Sequence, residues 1–589
     1  MTVDTGTRTA RKRYEERVDP KTGERYIAVF ERGQALKDDP ILNKGTSFTL
    51  EERDLFGLRG ILPAAVSTAR DQEARVYENY GAASGDVSRY VFLAGLQDRN
   101  EVLFYRLLLD HIEEMAPIVY TPTVGLVCER YSHMYRRPRG VYISVHDRGR
   151  MVEALRNAER DDIRVIVVTD NEAILGIGDQ GVGGMGIAIG KLALYTAGAG
   201  IHPASGLPLD FDIGTDNPAL LADPLYLGVR QPRLRGDAYF ALLDELVDAI
   251  AQVFPRALVQ WEDFANQVAF QVLGRYRTTC LSFDDDIQGT GAVVEAGIRI
   301  ALDRAGRRLE DERIVFYGAG ASGAGCALQI RHAMGAAGVS DPSRRILCLD
   351  SQGLILADRP GLDGHKKDVA ADSAAVAGWT GATGSRFSLL DVVRNFKPTV
   401  LVGASGQAGT FTEAIIREMN RHCDRPIVMA LSNPTSKIEA RPEDILRWTN
   451  GAAIVGTGSP FPPVELNGVT YQIGQCNNVF VFPGIGLGAT AVNARSLPDE
   501  AFSAAAKAVH AFMGKTVDPG AAIFTSLSRL REVSRLVAVA VGRALVDAGA
   551  APHMTPADIE DRVAASMWEP TYRPYRIGNG DSSGPPVHY

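Results

Sequence analysis

Two short acidic stretches hold the side chains best suited to chemistry. Trp261-Glu262-Asp263-Phe264-Ala265-Asn266 follows the apolar run Ala257-Leu258-Val259, and Asp284-Asp285-Asp286-Ile287-Gln288-Gly289-Thr290 follows Cys280-Leu281-Ser282-Phe283. Both apolar runs read as strands, and Gly289-Thr290 ahead of Gly291-Ala292-Val293-Val294 suits a helix start. Adjacent carboxylates at a strand end cannot both face a core, so they face water or a cation. Brought together, Glu262, Asp263 and Asp286 offer hard oxygen ligands with no His or Cys beside them, a donor set for Mg²⁺ or Mn²⁺ rather than Zn²⁺. A run of acids is also ordinary for a solvated face. This one is set apart by Gln288-Gly289-Thr290-Gly291 directly behind it and by a glycine fingerprint further on.

Two further side chains could move protons. Lys191 follows seven glycines between positions 176 and 190 and opens the apolar run Leu192-Ala193-Leu194-Tyr195. That glycine density permits unusual backbone angles and close approach to a ligand. The spacing is not that of a phosphate-binding P-loop, because Gly186 and Gly190 are too close and Leu192 stands where Ser or Thr is needed. Burial and a nearby cation would lower the pKa of Lys191 and let it act as a base; the alternative is a lysine reaching out to solvent. Tyr120 lies in Ile118-Val119-Tyr120-Thr121-Pro122-Thr123. The residue before a proline avoids the helical region, so the chain turns at Thr121 and the Tyr120 hydroxyl lies near a loop. A packed tyrosine with a satisfied hydroxyl is the alternative.

A third group suits a dinucleotide. The strand-like Ile314-Val315-Phe316-Tyr317 runs into Gly318-Ala319-Gly320-Ala321-Ser322-Gly323 and a helical pattern, and a second strand ends at Asp350. Gly318, Gly320 and Gly323 let the backbone approach a pyrophosphate at a helix N-terminus, and Asp350 is placed for a ribose diol, which favours NAD. Ser351, with Lys366 and Lys367 downstream, could accept a 2′-phosphate, which favours NADP. Strands 399–403 and 426–431 continue the doubly wound rhythm. Asn433, past the second, is a candidate for ribose, nicotinamide or substrate, and Asn477 and Asn478 are similar.

The elements that must position these residues follow from pattern and composition. The 589 residues, 45% hydrophobic, suffice for two or more domains. A net charge of −8 excludes a general basic surface for nucleic acid. Six scattered cysteines with no Cys-x-x-Cys point to a reducing compartment. The polar start and the lack of any eighteen-residue apolar run predict a cytoplasmic enzyme without a membrane span. Residues 1–40 read as a loose arm, 41–285 as a helical and α/β domain holding the acids, 286–550 as a nucleotide-binding domain, and 551–589 as a tail that could dock on a neighbouring subunit. Thr49 with Glu52 reads as a capping box, and residues 91–115 as helical.

Taken jointly, Tyr120-Thr-Pro-Thr-Val-Gly125, Gly176-Ile-Gly-Asp179 through Lys191, Trp261 to Asn266, Asp285 to Thr290, Gly318-Ala-Gly320 and Leu431-Ser-Asn-Pro-Thr-Ser436 resemble the large-subunit malic enzymes over about residues 48–541. The resemblance implies an α/β fold, with a helical and α/β malic-enzyme domain followed by a Rossmann-like doubly wound NAD(P)-binding domain, in a homodimer or homotetramer. It implies Tyr120 as general acid, Lys191 as general base, and Glu262, Asp263 and Asp286 as ligands of Mg²⁺ or Mn²⁺. Asn433 and Asn477 would contact substrate, and Asp285 could orient Lys191. The implied reaction turns malate into pyruvate and CO₂ with reduction of NAD or NADP. The Ser-plus-Lys pattern resembles NADP-using members, so the expectation leans to NADP. One departure is Ala173, where many members carry an arginine that meets a malate carboxylate. A small residue there is shared with malolactic enzymes, which make lactate with bound NAD. A silent cofactor-binding regulator on the same fold is a further alternative, although positions 120, 191, 262, 263 and 286 all keep the required chemistry.

Overall fold

Continuous apolar runs such as Ile314–Tyr317 and Val400–Gly403 form parallel strands here, because a parallel sheet is covered on both faces and needs no polar alternation. The computed structural model describes residues 12–160, 162–174, 176–382, 386–514 and 520–578. The chain divides into two compact units: Met1–Val167 with Gly181–Ala257 and Ala564–Tyr589, and Val168–Gln180 with Leu258–Val563.

The first unit is mainly helical. The apolar pattern over 91–115 belongs to three helices, Asp86–Gln97, Glu101–Asp110 and Ile112–Val119. Asn100 separates the first two because its side chain accepts from Leu103 N–H and starts a new helix. The expected capping box of Thr49 and Glu52 is present. Strand Val141–Ser144 pairs in parallel with Gly206–Asp212. The glycine-rich segment is helical from Met185 to Ala199, so Lys191 lies inside a helix rather than opening one. Its glycines serve close packing. A Cβ on Gly186 would sit 3.1 Å from Cys128 Sγ, and one on Gly190 would sit 2.8 Å from the Val119 carbonyl oxygen. The stretch Gly181–Ala199 is long and apolar enough to cross a membrane, but 94% of it is buried in the protein, as befits a core helix.

The expected loose arm and the tail expected to dock on a neighbouring subunit are corrected where they are described: both pair within this chain. Tyr14–Val18 pairs antiparallel with Arg25–Val29, which pairs in parallel with Tyr575–Ile577. The joint is sealed by Lys44, whose buried Nζ donates to the Arg573 carbonyl at 2.6 Å, pairs with Glu52 at 2.5 Å and stands 3.7 Å from the centre of the Tyr575 ring. Tyr572 donates to Gln72 and accepts from Asn100. Apolar side chains of both ends (Val29, Leu36, Tyr575) share one core cluster, which short-range composition did not reveal. Residues 1–11 and 579–589 lie outside the described residues.

The second unit contains a seven-stranded sheet in the order Gly353–Leu354, Ile346–Asp350, Ile314–Tyr317, Val400–Gly403, Ile427–Ala430, Ile454–Thr457, Gly474–Gln475. Only the first pair is antiparallel. Strand Ile314–Tyr317 is flanked on one side by Ile346–Asp350 and on the other by Val400–Gly403, which makes its C-terminal end the switch point where such sheets bind ligands. Helices Thr290–Ala305, Ala321–Ala336, Asp499–Met513 and Leu530–Asp547 pack in sequence against one another. The pair Leu258–Glu262 and Ser282–Asp284, also parallel, carries the acidic stretches at its C-terminal ends.

Candidate active site

The two acidic stretches meet. Glu262 ends its strand, and Asp263 beyond it takes a left-handed backbone, φ 59°. This is a costly conformation for a non-glycine residue and recurs at functional sites. Asp285–Gly289 forms a π-helical turn, another feature common at functional sites. A Cβ on Gly289 would collide with the Asp285 carboxylate, so glycine is required there. Asp263 N–H donates to Asp286 Oδ2 at 2.8 Å, which locks the two loops together. One carboxylate oxygen each from Glu262, Asp263 and Asp286 lies within 4.8 Å of the others. Glu262 and Asp263 are buried and Asp286 is half-buried.

Several neighbours fix this cluster. Gln260, on the same strand face two residues earlier, donates to Glu262 Oε2 at 2.7 Å. Asn478 donates to Asp285 Oδ2 at 3.0 Å and to Thr290 Oγ1 at 3.0 Å. Asp284 is fully buried, and its Oδ1 accepts from Ile287 N–H at 2.9 Å. Among the described residues its Oδ2 has no hydrogen-bond partner. Burial, then the charge of Asp286, pushes the Asp284 carboxyl well above its usual range. Crowded carboxylate oxygens beside a buried acid oxygen with no hydrogen-bond partner are a set of hard donors that a divalent cation fits. The donor set is all oxygen, which suits Mg²⁺ or Mn²⁺.

In the first unit, Tyr120 caps the C-terminus of Ile112–Val119, and helix Thr123–Glu129 follows at once. Lys191 is 3% exposed, and its Nζ lies 5.5 Å from the centre of the Tyr120 ring. The two expected proton-transfer residues are therefore neighbours. The reason is local: a Cβ on Gly190 would also lie 2.9 Å from Tyr120 Cδ2, so only glycine allows this approach.

The nucleotide loop forms at the switch point. Gly318 has φ 106°, and a Cβ there would collide with the Ala404 carbonyl of the adjacent strand's loop. A Cβ on Gly323 would collide with the Gly318 carbonyl. Gly320 precedes helix Ala321–Ala336, whose Ala321 N–H donates to Asn266 Oδ1 at 2.8 Å. Asp350 accepts from Arg359 at 2.5 and 3.0 Å and from Lys366 at 3.0 Å. Burial opposes ionisation, but these cations hold the Asp350 carboxyl below the usual carboxylate range. Ser351 and Lys367 are exposed. Asn433 is half-buried beside Ser459, which donates to its Oδ1. Asn477 caps the turn Asn478–Phe480 by accepting from Val479 N–H at 3.0 Å, just past the strand Gly474–Gln475. Ala173 N–H donates to the Asp263 carbonyl at 2.9 Å, so the departure from the expected arginine sits beside the acid cluster.

Gln260, Asp284, Asn266 and Arg359 were not singled out by sequence reasoning. Asp284 adjoined the acidic run and Gln260 shared a strand face with Glu262, so both carried a signal. Arg359 carried none.

Two family models cover the chain: residues 97–277 match the malic enzyme N-terminal domain, and residues 287–546 match the malic enzyme NAD binding domain. The chain belongs to the malic enzyme family. Among malic enzymes, the NAD-dependent malic enzyme of Acinetobacter baylyi is 45% identical over 546 residues, 92% of this chain and 96% of its own length. That of Sodalis glossinidius is 46% identical over 554 residues, 94% of this chain and 98% of its own. The crystal structure of Entamoeba histolytica malic enzyme shares the fold at a TM-score of 0.54 and 22% identity, covering 87% of this chain and 91% of that one. The first matched domain ends at 277 and the second begins at 287, whereas the compact units divide at 257/258 and set 168–180 with the second.

Proposed function

We propose that this malic enzyme converts (S)-malate to pyruvate and CO₂ with reduction of NAD, dependent on Mn²⁺ or Mg²⁺. The observation that carries the reading is the cluster of buried Glu262 and Asp263 with half-buried Asp286, assembled from two loops in a chain of this family. When bound, the cation supplies Lewis acidity at the C2 oxygen and the nicotinamide supplies hydride acceptance. Lys191 takes the proton of the C2 hydroxyl. Departure of C4 as CO₂ leaves an enolate, and Tyr120 delivers a proton to C3, giving pyruvate. Asp285, held by Asn478, supports the base. Asn433 and Asn477 contact the substrate or cofactor, and Gly318, Gly320 and Gly323 admit the pyrophosphate.

For the cofactor, the lean to NADP is set aside. The relatives at 45–46% identity are NAD-dependent, and Asp350 stays ionised and able to accept from a ribose diol. Ala173 favours a second reading, malolactic conversion without net redox. The relatives named as NAD-dependent malic enzymes weigh against it. We also carry forward assembly as a homodimer or homotetramer, checked by solution mass, and a reducing, cytoplasmic location, in keeping with six free cysteines. The deciding experiment is malate with Mn²⁺ and each nucleotide, scored for reduced nicotinamide, pyruvate and lactate. Accumulating NADH with equimolar pyruvate is expected. Lactate without NADH would replace the proposal with the malolactic reading, and a higher kcat/KM for NADP would overturn the cofactor assignment.

A further inference from the structure

The first unit contains a cavity of about 120 Å³ that none of the chemistry above uses. Its wall is apolar, built from Leu93, Phe104, Val119, Val127 and Ile189. Its lining also includes three arginines, Arg136, Arg137 and Arg139, against the single carboxylate of Asp98. Arg139 is committed to Glu101 at 2.5 Å and to Asp98 at 3.5 Å. Arg137 donates to the Asp98 carbonyl at 2.9 Å. Arg136 is exposed and has no hydrogen-bond or ion-pair partner among the described residues. An apolar chamber with an uncommitted guanidinium in its lining matches a ligand with an apolar body and one anionic head. An apolar cavity of roughly 150 Å³ accepts benzene, so this one takes a single ring or a short branched chain.

The same cavity adjoins the proton-transfer pair. Val119 and Gly190 line it, and the next residues in the chain are Tyr120 and Lys191. The two backbones touch without slack, since a Cβ on Gly190 would sit 2.8 Å from the Val119 oxygen. A ligand pressing on Val119 and Gly190 therefore shifts the Tyr120 ring against the Lys191 amine, because packed interiors transmit displacement. We propose that this cavity is a regulatory site for a small monocarboxylate with an aromatic or branched apolar body, whose binding alters the Tyr120–Lys191 pair. The regulatory part rests on the roles proposed for those two residues; the binding part does not.

The test uses phenylacetate as probe and the full-length chain, with calorimetry in the absence of malate and with malate kinetics. Arg136→Glu reverses the charge of an exposed side chain and leaves the chamber intact. A second variant, Leu93→Phe, fills the chamber. Phenylacetate is expected to bind the parent chain, about tenfold or more weaker to Arg136→Glu, and not to Leu93→Phe. Acetate and benzyl alcohol, each lacking one half of the recognition, are expected not to displace it. In the rate assay phenylacetate is expected to change kcat of the parent at saturating malate and to leave Arg136→Glu unaffected. Equal affinity for parent and Arg136→Glu, or displacement by malate, would overturn the site. Binding at the cavity with unchanged kcat and KM overturns its regulatory role. A fall in oligomeric mass on Arg136→Glu, with no phenylacetate binding by the parent, overturns the proposal in favour of a second copy of the chain covering the cavity. Failure of the malate reaction itself, with phenylacetate still bound, would sink the proposed function and leave the site standing.

Discussion

Removing one charge from the acid cluster should stabilise the protein without metal and abolish its stabilisation by metal. The substitution is Asp286→Asn, which keeps an oxygen for the Asp263 N–H that Asp286 accepts at 2.8 Å. The ligand oxygens of the three acids lie within 4.8 Å of one another. At an effective dielectric of about 20, two unit charges at such a separation repel by roughly 3 kcal/mol per pair, an upper bound because crowded carboxyls partly protonate. Asp284, fully buried beside them, is pushed well above its usual range by burial and then by the charge of Asp286, a sign of the same crowding. The metal-free variant should therefore melt at or above the parent. In the parent, Mn²⁺ at a hundredfold excess over its dissociation constant should add about 2.7 kcal/mol, and the melting temperature should climb with the logarithm of the Mn²⁺ concentration. In the variant that slope should vanish. Differential scanning calorimetry of both proteins, with chelator and across a Mn²⁺ series, measures all four states. An unchanged Mn²⁺ slope in Asp286→Asn, or a metal-free variant clearly less stable than the parent, would refute the argument that these carboxylates are held together for a cation.

The remaining predictions concern other parts of the molecule. Tyr120→Phe and Lys191→Met should each lower kcat by about 10²–10⁴-fold with little loss of folding, checked by steady-state kinetics beside circular dichroism. Asn266→Ala removes the acceptor of Ala321 N–H at the nucleotide loop; it should cost about 1 kcal/mol of stability, as a lost helix cap does, and raise the KM for NAD more than that for malate. His202 gives a pH signature: burial, then the charge of Arg160, pushes its imidazole down to about 3, and its Nδ1 accepts from Ala204 N–H. The unfolded chain binds that proton below about pH 6.5 and the folded one does not, so stability is full above that pH and falls by about 1.4 kcal/mol per unit down to about pH 3. His202→Asn should flatten that part of the stability–pH profile in urea melts, and an identical slope in the variant would remove His202 as its source.

Local chemistry made much of this protein legible from its residues alone. The acids at two strand ends, the glycine loop between strand and helix, and the Thr49–Glu52 cap are each set by a few neighbouring side chains, so their spacing carries the information. The glycines at 186 and 190 misled because composition cannot distinguish a backbone that approaches a ligand from one that approaches another helix; here it is the latter. The ends of the chain were misjudged because their stability comes from long-range pairing, with Tyr575–Ile577 added in parallel to Arg25–Val29 and Lys44 reaching the Arg573 carbonyl. Neither strand has enough apolar pattern of its own to announce that partnership.

Residue types and spacing by themselves determined which side chains could ligate a cation, shuttle protons or cradle a pyrophosphate, because those capacities belong to functional groups. Tertiary structure decided which of them are neighbours within each unit. It brought Asp263 against Asp286, stood Lys191 over the Tyr120 ring, turned Asn478 onto Asp285 and gave Asp350 two cationic partners. Those outcomes depend on distances between segments far apart in the chain, and such distances are fixed only when the intervening helices and strands pack.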